Sequence, residues 1–347
     1  MVFKLRDGLK VKREYKTTDI VERKGVITAK NIHLKKYPVD NPVTIFNASI
    51  DLEGDELIVY GRIVLGYFTY ASAVAEFRIP VNDILSNEFI PGHYTADICV
   101  YPDNRYDLWG VEDPRVYRIG EKKLMTYCGR TVHYFDPSVR TERTLPVTAV
   151  YEDGKWRKIC AFRVPEEFRG FVISDKDSFL VKMDRCYLFH RLHMKDENFY
   201  LVMSVVECDI FEKRELCDVS VNDTKTVLEP AKWEDKLGWN TPPVKVDGEY
   251  LLLLHAVDAE TKAYRVFAML MDENANVTAI TPHYIMEPRE CYEVFGDRPF
   301  TVFPCGSLLV DDQLLISYGA SDSAIGFGLI NVDELMDMLE KGRLERQ

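Results

Sequence analysis

Gly248-Glu-Tyr-Leu-Leu-Leu-Leu-His255 is a turn-forming glycine followed by a short apolar run that ends on a ring-bearing residue. Four other segments have the same form: Gly54-Asp-Glu-Leu-Ile-Val-Tyr60, Gly120-Glu-Lys-Lys-Leu-Met-Thr-Tyr127, Asp184-Arg-Cys-Tyr-Leu-Phe-His190 and Asp311-Asp-Gln-Leu-Leu-Ile-Ser-Tyr318. Their final residues stand 67, 63, 65 and 63 positions apart. Each opens at a Gly or Asp, as a hairpin requires. A period near 65 is long for a solenoid repeat and suits a four-stranded propeller blade with generous loops. The competing arrangement for such spacing is a β-sandwich.

Upstream of each copy lies a second short strand. These read Pro42-Val-Thr-Ile-Phe-Asn47, Val111-Glu-Asp-Pro-Arg-Val116, Ile173-Ser-Asp-Lys-Asp-Ser178, Asn240-Thr-Pro-Pro-Val244 and Val302-Phe-Pro-Cys305. Four of the five contain Pro, which central strands exclude and sheet edges tolerate. The innermost strand of a blade is such an edge. The expected fold is therefore an all-β, five-bladed β-propeller whose inner strands bring Asn47, Asp113 and Lys176 to one central pocket. The whole chain, 1–347, reads as one domain: a charged arm over 1–40 that helps close the ring, blades from about 41 to 330, and a tail over 331–347. Val332-Asp-Glu-Leu-Met-Asp-Met-Leu-Glu-Lys341 has apolar residues at helical spacing. This short C-terminal helix is expected to pack outside the propeller or against a partner subunit of a homo-oligomer.

Composition excludes several function classes. The 347 residues are 46% hydrophobic and carry a net charge of −12, so no bulk basic surface marks a nucleic-acid protein. No apolar run reaches the roughly 18 residues of a membrane span. The start, Met1-Val-Phe-Lys-Leu-Arg-Asp7, has no apolar signal core. The eight cysteines have irregular gaps and no CxxC pair. They are expected to be reduced and mostly buried, in a cytoplasmic protein. No Gly-rich phosphate loop precedes a helix, and no His, Cys or carboxylate spacing suits zinc, so neither a nucleotide cofactor nor a metal is expected.

Chemistry concentrates in two places. Glu112 and Asp113 are adjacent, and strand neighbours point to opposite faces. Only one is then expected at the axis, with Asp113 on the face of Arg115. Asp113 is either a catalytic acid or half of a structural ion pair with Arg115. The second place is a basic set. Lys176 lies on the third inner segment, Arg191 follows His190, Lys236 precedes the fourth inner segment, and His255 ends the strand after it. Four donors on one wall of an acidic protein make an oxyanion site, for which guanidinium and ammonium groups are suited.

Gly110-Val-Glu-Asp-Pro-Arg115 resembles the signature of the glycoside hydrolase family 130 mannoside phosphorylases. The resemblance runs from about residue 41 to 328 and implies a five-bladed propeller. It implies that Asp113 is the single general acid, and that Asn47 of Phe46-Asn47 and Arg62 of Tyr60-Gly-Arg62 touch the mannosyl unit. Asp322, at the end of Tyr318-Gly-Ala-Ser-Asp322, matches the Asp that binds the same sugar. Lys176, His190-Arg191, Lys236-Leu-Gly and Leu254-His255 match the segments that cradle phosphate. Leu192 departs from the family's His-Arg-Pro motif. Thr131–Val164, with Arg140, Arg143 and Trp156, and Trp239–Pro243 also depart, on what would be the acceptor side.

The expected reaction is inverting phosphorolysis of a β-mannoside, or its reversal, giving α-mannose 1-phosphate. It needs no cofactor, and inorganic phosphate is a co-substrate. An inverting hydrolase needs an acid and a base on opposite faces of the sugar. Phosphate is already a nucleophile, so an acid opposite a wall of cations suffices. The alternatives are a β-mannoside hydrolase with a base at Asp175 or Asp177, a glycan-binding propeller without catalysis, and a furanosidase with three separated carboxylates.

Overall fold

The structure, a computed structural model, describes residues 8–86 and 89–344; the Met1–Asp7 stretch and residues 345–347 lie outside them. Five antiparallel sheets follow one another along the chain as the blades of a propeller. From the axis outward, blade 1 is Thr44–Glu53, Glu56–Val64, Ser72–Pro80 and Tyr94–Val100. Blade 2 is Val111–Ile119, Lys122–Arg130, Thr144–Glu152 and Lys155–Arg163. Blade 3 is Val172–Lys182, Cys186–Met194, Phe199–Val206 and Asn222–Leu228. Blade 4 is Glu234–Trp239, Glu249–Asp258, Tyr264–Met271 and Val277–Ile280. Blade 5 is Val302–Val310, Gln313–Ala320 and Ala324–Asn331. The propeller expected from the spacing is the fold observed.

The repeated apolar segments are the second strands. Each is covered on both faces by neighbouring blades, so apolar residues run continuously instead of alternating. Leu251, Leu252, Leu253 and Leu254 are all buried for this reason. Blade joints are filled by large side chains. Trp239 wedges between blades 3 and 4 against Phe179 and Phe189, and its indole N–H donates to the carbonyls of His190 and Val202.

The arm supplies outer strands. Glu22–Thr28 pairs antiparallel with Ala324–Asn331 and is the fourth strand of blade 5. Ile32–Leu34 then pairs parallel with Tyr94–Val100 at the rim of blade 1. Cys217–Ser220, from the long blade 3 loop, likewise pairs parallel with Lys155–Arg163 of blade 2. Nearer the start, Arg13 forms a buried ion pair with Glu234 of blade 4 and lies over the Phe267 ring. The helix Val332–Glu340 is capped by Asn331, whose side chain accepts from the Glu334 N–H. Its Leu335, Met338 and Leu339 are buried in the core shared by blades 4 and 5.

Two local expectations fail. The inner strand of blade 4 is Glu234–Trp239, not Asn240–Val244, so Lys236 lies on it rather than before it. Pro242 and Pro243 have no N–H to give the ladder, and pairing resumes only at Val244–Val246. The cysteines are not all free: Cys186 and Cys208 form a disulfide, with Cα atoms 5.7 Å apart.

Arg13→Ala strands the Glu234 carboxylate in the interior with only the Tyr284 hydroxyl and the Ala231 N–H. It should lower unfolding free energy by about 3–5 kcal/mol in urea denaturation. A loss in the surface-pair range of about 0–1 kcal/mol would show that this contact does not anchor the arm.

Candidate active site

Three inner strands carry the same irregularity in the same register. Their pairing slips between Phe46 and Ser49, between Glu112 and Arg115, and between Lys176 and Phe179. The extra residue is left-handed each time: Asn47 at φ 47°, Asp113 at φ 51° and Asp177 at φ 54°. Asn and Asp tolerate this region best, yet it still costs about 1–2 kcal/mol per residue. Such strain, repeated around one axis, marks a functional site. It also corrects the strand-parity argument. Because the backbone turns over at the bulge, Glu112 and Asp113 both line the cavity. Arg115 forms no ion pair with the Asp113 carboxylate. Its guanidinium donates to the main-chain carbonyls of Asp113, Trp239 and Asn240, at 2.9, 3.1 and 2.6 Å.

The cavity encloses about 530 Å³. It is lined by all eight residues singled out in the sequence: Asn47, Arg62, Asp113, Lys176, Arg191, Lys236, His255 and Asp322. Blades 1, 2 and 5 supply one side. Asn47 Nδ2 and Arg62 Nη1 both donate to Asp113 Oδ1, at 2.8 and 2.9 Å. Asn47 Oδ1 and Arg62 Nε are buried with no protein partner, and Asn47 Oδ1 lies against Gly319. Asp322 has no ion pair among the described residues. Burial pushes its carboxyl up to about 6, Arg62 opposes this, and the charge of Asp113 adds to it.

Glu112, unassigned by the sequence, is the hub below this cluster. Its carboxylate binds Arg62 at 3.1 Å, Arg130 at 2.8 Å and Lys176 at 2.9 Å. Burial alone would raise its pKa; Arg130, Arg62 and Lys176 together hold it well below the usual carboxylate range. Lys176 is therefore tied to Glu112 and is not an independent cation.

Blades 3 and 4 supply the basic wall. Arg191 Nε donates to Asp177 Oδ2 at 2.5 Å, and His255 Nε2 lies 3.8 Å from the same oxygen. His255 Nδ1 faces Asn240 Oδ1 at 2.7 Å. Burial keeps this imidazole neutral against the attraction of Asp177, and nearby Arg191 and Lys236 act in the same direction as burial. Lys236 has no ion pair among the described residues and lies over the Phe199 and Tyr264 rings, at 4.9 and 5.7 Å. Burial, then the positive fields of Arg191 and Arg298, lower its pKa to about 7. The charged form of this ammonium, beside other cations, would be favoured by an added negative charge.

Sequence reasoning missed Arg298, whose guanidinium lies 5.0 Å from the Tyr264 ring centroid. It comes from the loop before Val302 and has no repeat signature. Asp175 is outside the cavity, where it holds His190 Nδ1 at 2.8 Å. His190 is thus structural, and its Nε2 reaches Ser204. In the divergent Thr131–Val164 stretch, Tyr134 and Phe135 line the mouth. Arg143 ties that loop together through the His133 and Tyr134 carbonyls. Trp156 packs on Tyr60, and Arg140 pairs with Glu197 at the surface.

Crowding explains two glycines of the quoted motifs, Gly238 of Lys236-Leu-Gly and Gly319 of Tyr318-Gly-Ala-Ser-Asp322. A Cβ on Gly238 would lie 2.1 Å from His255 Cε1 and 2.4 Å from Asp177 Oδ2. One on Gly319 would lie 1.7 Å from Asn47 Oδ1. Gly238→Ala should therefore push His255 and Asp177 apart. One lost charge-assisted hydrogen bond corresponds to an affinity for inorganic phosphate about 10- to 100-fold weaker in isothermal titration. An unchanged affinity would place the anion elsewhere.

A family model described as beta-1,4-mannooligosaccharide phosphorylase, glycoside hydrolase family 130, matches residues 11–341. A 1,2-beta-oligomannan phosphorylase of Thermoanaerobacter sp. (strain X514) is 32% identical over 292 residues, covering 80% of this chain and 82% of that protein. A beta-1,2-mannobiose phosphorylase of the same organism is 26% identical over 301 residues, covering 84% and 91%. The solved beta-1,2-mannobiose phosphorylase of Listeria innocua, in complex with beta-1,2-mannobiose, superposes with a TM-score of 0.71 at 19% identity, covering 92% of this chain and 99% of that one. The chain belongs to glycoside hydrolase family 130.

Proposed function

We propose that this protein is an inverting β-mannoside phosphorylase, with Asp113 as general acid and inorganic phosphate as nucleophile. One observation carries the reading. Asn47, Arg62, Asp113 and Asp322 share a single cavity of about 530 Å³ with Arg191, Lys236, His255 and Arg298. The mannosyl unit binds over Asn47, Arg62 and Asp322. Phosphate binds at the basic wall and attacks the anomeric carbon from that side. Asp113 delivers a proton toward the leaving oxygen, directly or through a sugar hydroxyl. The products are α-mannose 1-phosphate and the shortened acceptor. Holding both reactants in line is worth about 7–11 kcal/mol of barrier, and no base is required, because the nucleophile is already an anion.

A hydrolytic reading is favoured by one observation, the carboxylate of Asp177 on the basic wall. Its engagement by Arg191 weighs against it. Burial would raise this carboxyl, but the permanent cations Arg191 and Arg115 hold it well below the usual range. A base so stabilised is poorly matched to deprotonating water near neutral pH.

The test is to incubate the protein with β-1,2- and β-1,4-mannosides, with and without phosphate, and to assay mannose 1-phosphate. Product is expected only with phosphate; free mannose formed at equal rate without phosphate overturns the reading. Asp113→Asn should lose about 10²–10⁴-fold in turnover with the fold intact by circular dichroism, and a near-normal rate would remove Asp113 as the acid.

Lys236 makes a further prediction. Its pKa is lowered to about 7, so the free protein carries the charge below that pH and loses it above. The KM for phosphate should therefore rise as pH increases through about 7. In Lys236→Arg, which stays charged, only the dependence due to phosphate's own ionisation should remain. Identical profiles for the two proteins would separate Lys236 from phosphate binding.

A further inference from the structure

We infer that Asp177 makes the basic wall selective for an oxyanion that still carries a proton, admitting phosphate and turning sulfate away. The inference rests on the phosphorolytic reading and adds a specificity residue to it. Arg191, Lys236 and Arg298 alone would accept any tetrahedral oxyanion, because cations of this kind recognise charge and shape. The same wall also contains two atoms that can only accept. No hydrogen bond among the described residues reaches Asp177 Oδ1, since Arg191 engages Oδ2. His255 Nε2 is buried with no partner. With Asn240 Oδ1 2.7 Å from His255 Nδ1, the ring proton sits on Nδ1 and Nε2 presents a lone pair.

An ionised carboxylate has no proton to donate. Burial would favour its neutral form, but the Arg191 hydrogen bond and the charges of Arg191 and Arg115 keep it ionised. Phosphate retains at least one O–H near neutral pH and can donate it to Asp177 Oδ1. Sulfate retains none, so lone pairs would face lone pairs in a site shielded from water. This is discrimination by a repulsive element as well as an attractive one. It also accounts for a carboxylate lodged among cations, where an Asn or Ser would hold phosphate without the charge.

Isothermal titration of the full chain with inorganic phosphate, arsenate and sulfate tests the inference. Arsenate, which keeps a proton as phosphate does, should bind within about tenfold of phosphate, and sulfate at least about a hundredfold more weakly. In Asp177→Asn the phosphate-to-sulfate ratio should fall at least about tenfold. A merely structural role for Asp177 would weaken all three anions alike and leave the ratio fixed. The wild-type ratio needs no variant, so a misfolded Asp177→Asn does not protect the idea. Sulfate binding as tightly as phosphate in the wild type overturns the selectivity and leaves phosphorolysis standing. Failure of every oxyanion to bind overturns both.

Discussion

The constraint beneath this site is that an inner strand must be both a sheet edge and a source of polar groups. A regular strand sends alternate side chains away from the axis. The left-handed bulge at Asn47, Asp113 and Asp177 removes that limit, so consecutive residues reach the cavity. The strain is offset locally. Asn47 and Arg62 fix the Asp113 carboxylate, and Arg191 fixes Asp177. Glu112, one residue before the bulge, neutralises the cations that the neighbouring strands bring in.

Charge in the cavity is therefore apportioned rather than simply opposed. The sequence suggests one acid facing four cations. The structure has five carboxylates on the lining, of Glu112, Asp113, Asp177, Asp297 and Asp322. Lys176 and Arg191 are each paired, which leaves Lys236 and Arg298 as the lining cations without an ion pair among the described residues. Burial makes such pairing necessary, since an isolated ion out of water is costly.

The fold was legible because the second strands are buried on both faces and repeat a fixed apolar form, as at Leu251–Leu254. Asn47, Asp113, Lys176, Arg191, Lys236 and His255 were legible because they lie on or beside those repeats, whereas Arg62 and Asp322 came only from the family resemblance. Arg298, Tyr134 and Phe135 were not, since loops between blades obey no period. The joint cavity role of Glu112 and Asp113 was hidden because parity arguments assume a regular strand, and a bulge leaves no mark beyond an Asn or Asp. The break at Asn240–Pro243 was visible as two prolines, yet proline there signals the interruption of the edge strand instead of its centre.

The pairing of Glu22–Thr28 with Ala324–Asn331 joins segments far apart in sequence in a single sheet. A ribosome releases the first of these strands some three hundred residues before its mate exists. Until then the nascent ring is open, its last blade lacks an outer edge, and the early strand's hydrogen-bonding groups face water. Cooperative locking must accordingly wait until Ala324–Asn331 has been synthesised, as expected where long-range pairing closes a topology.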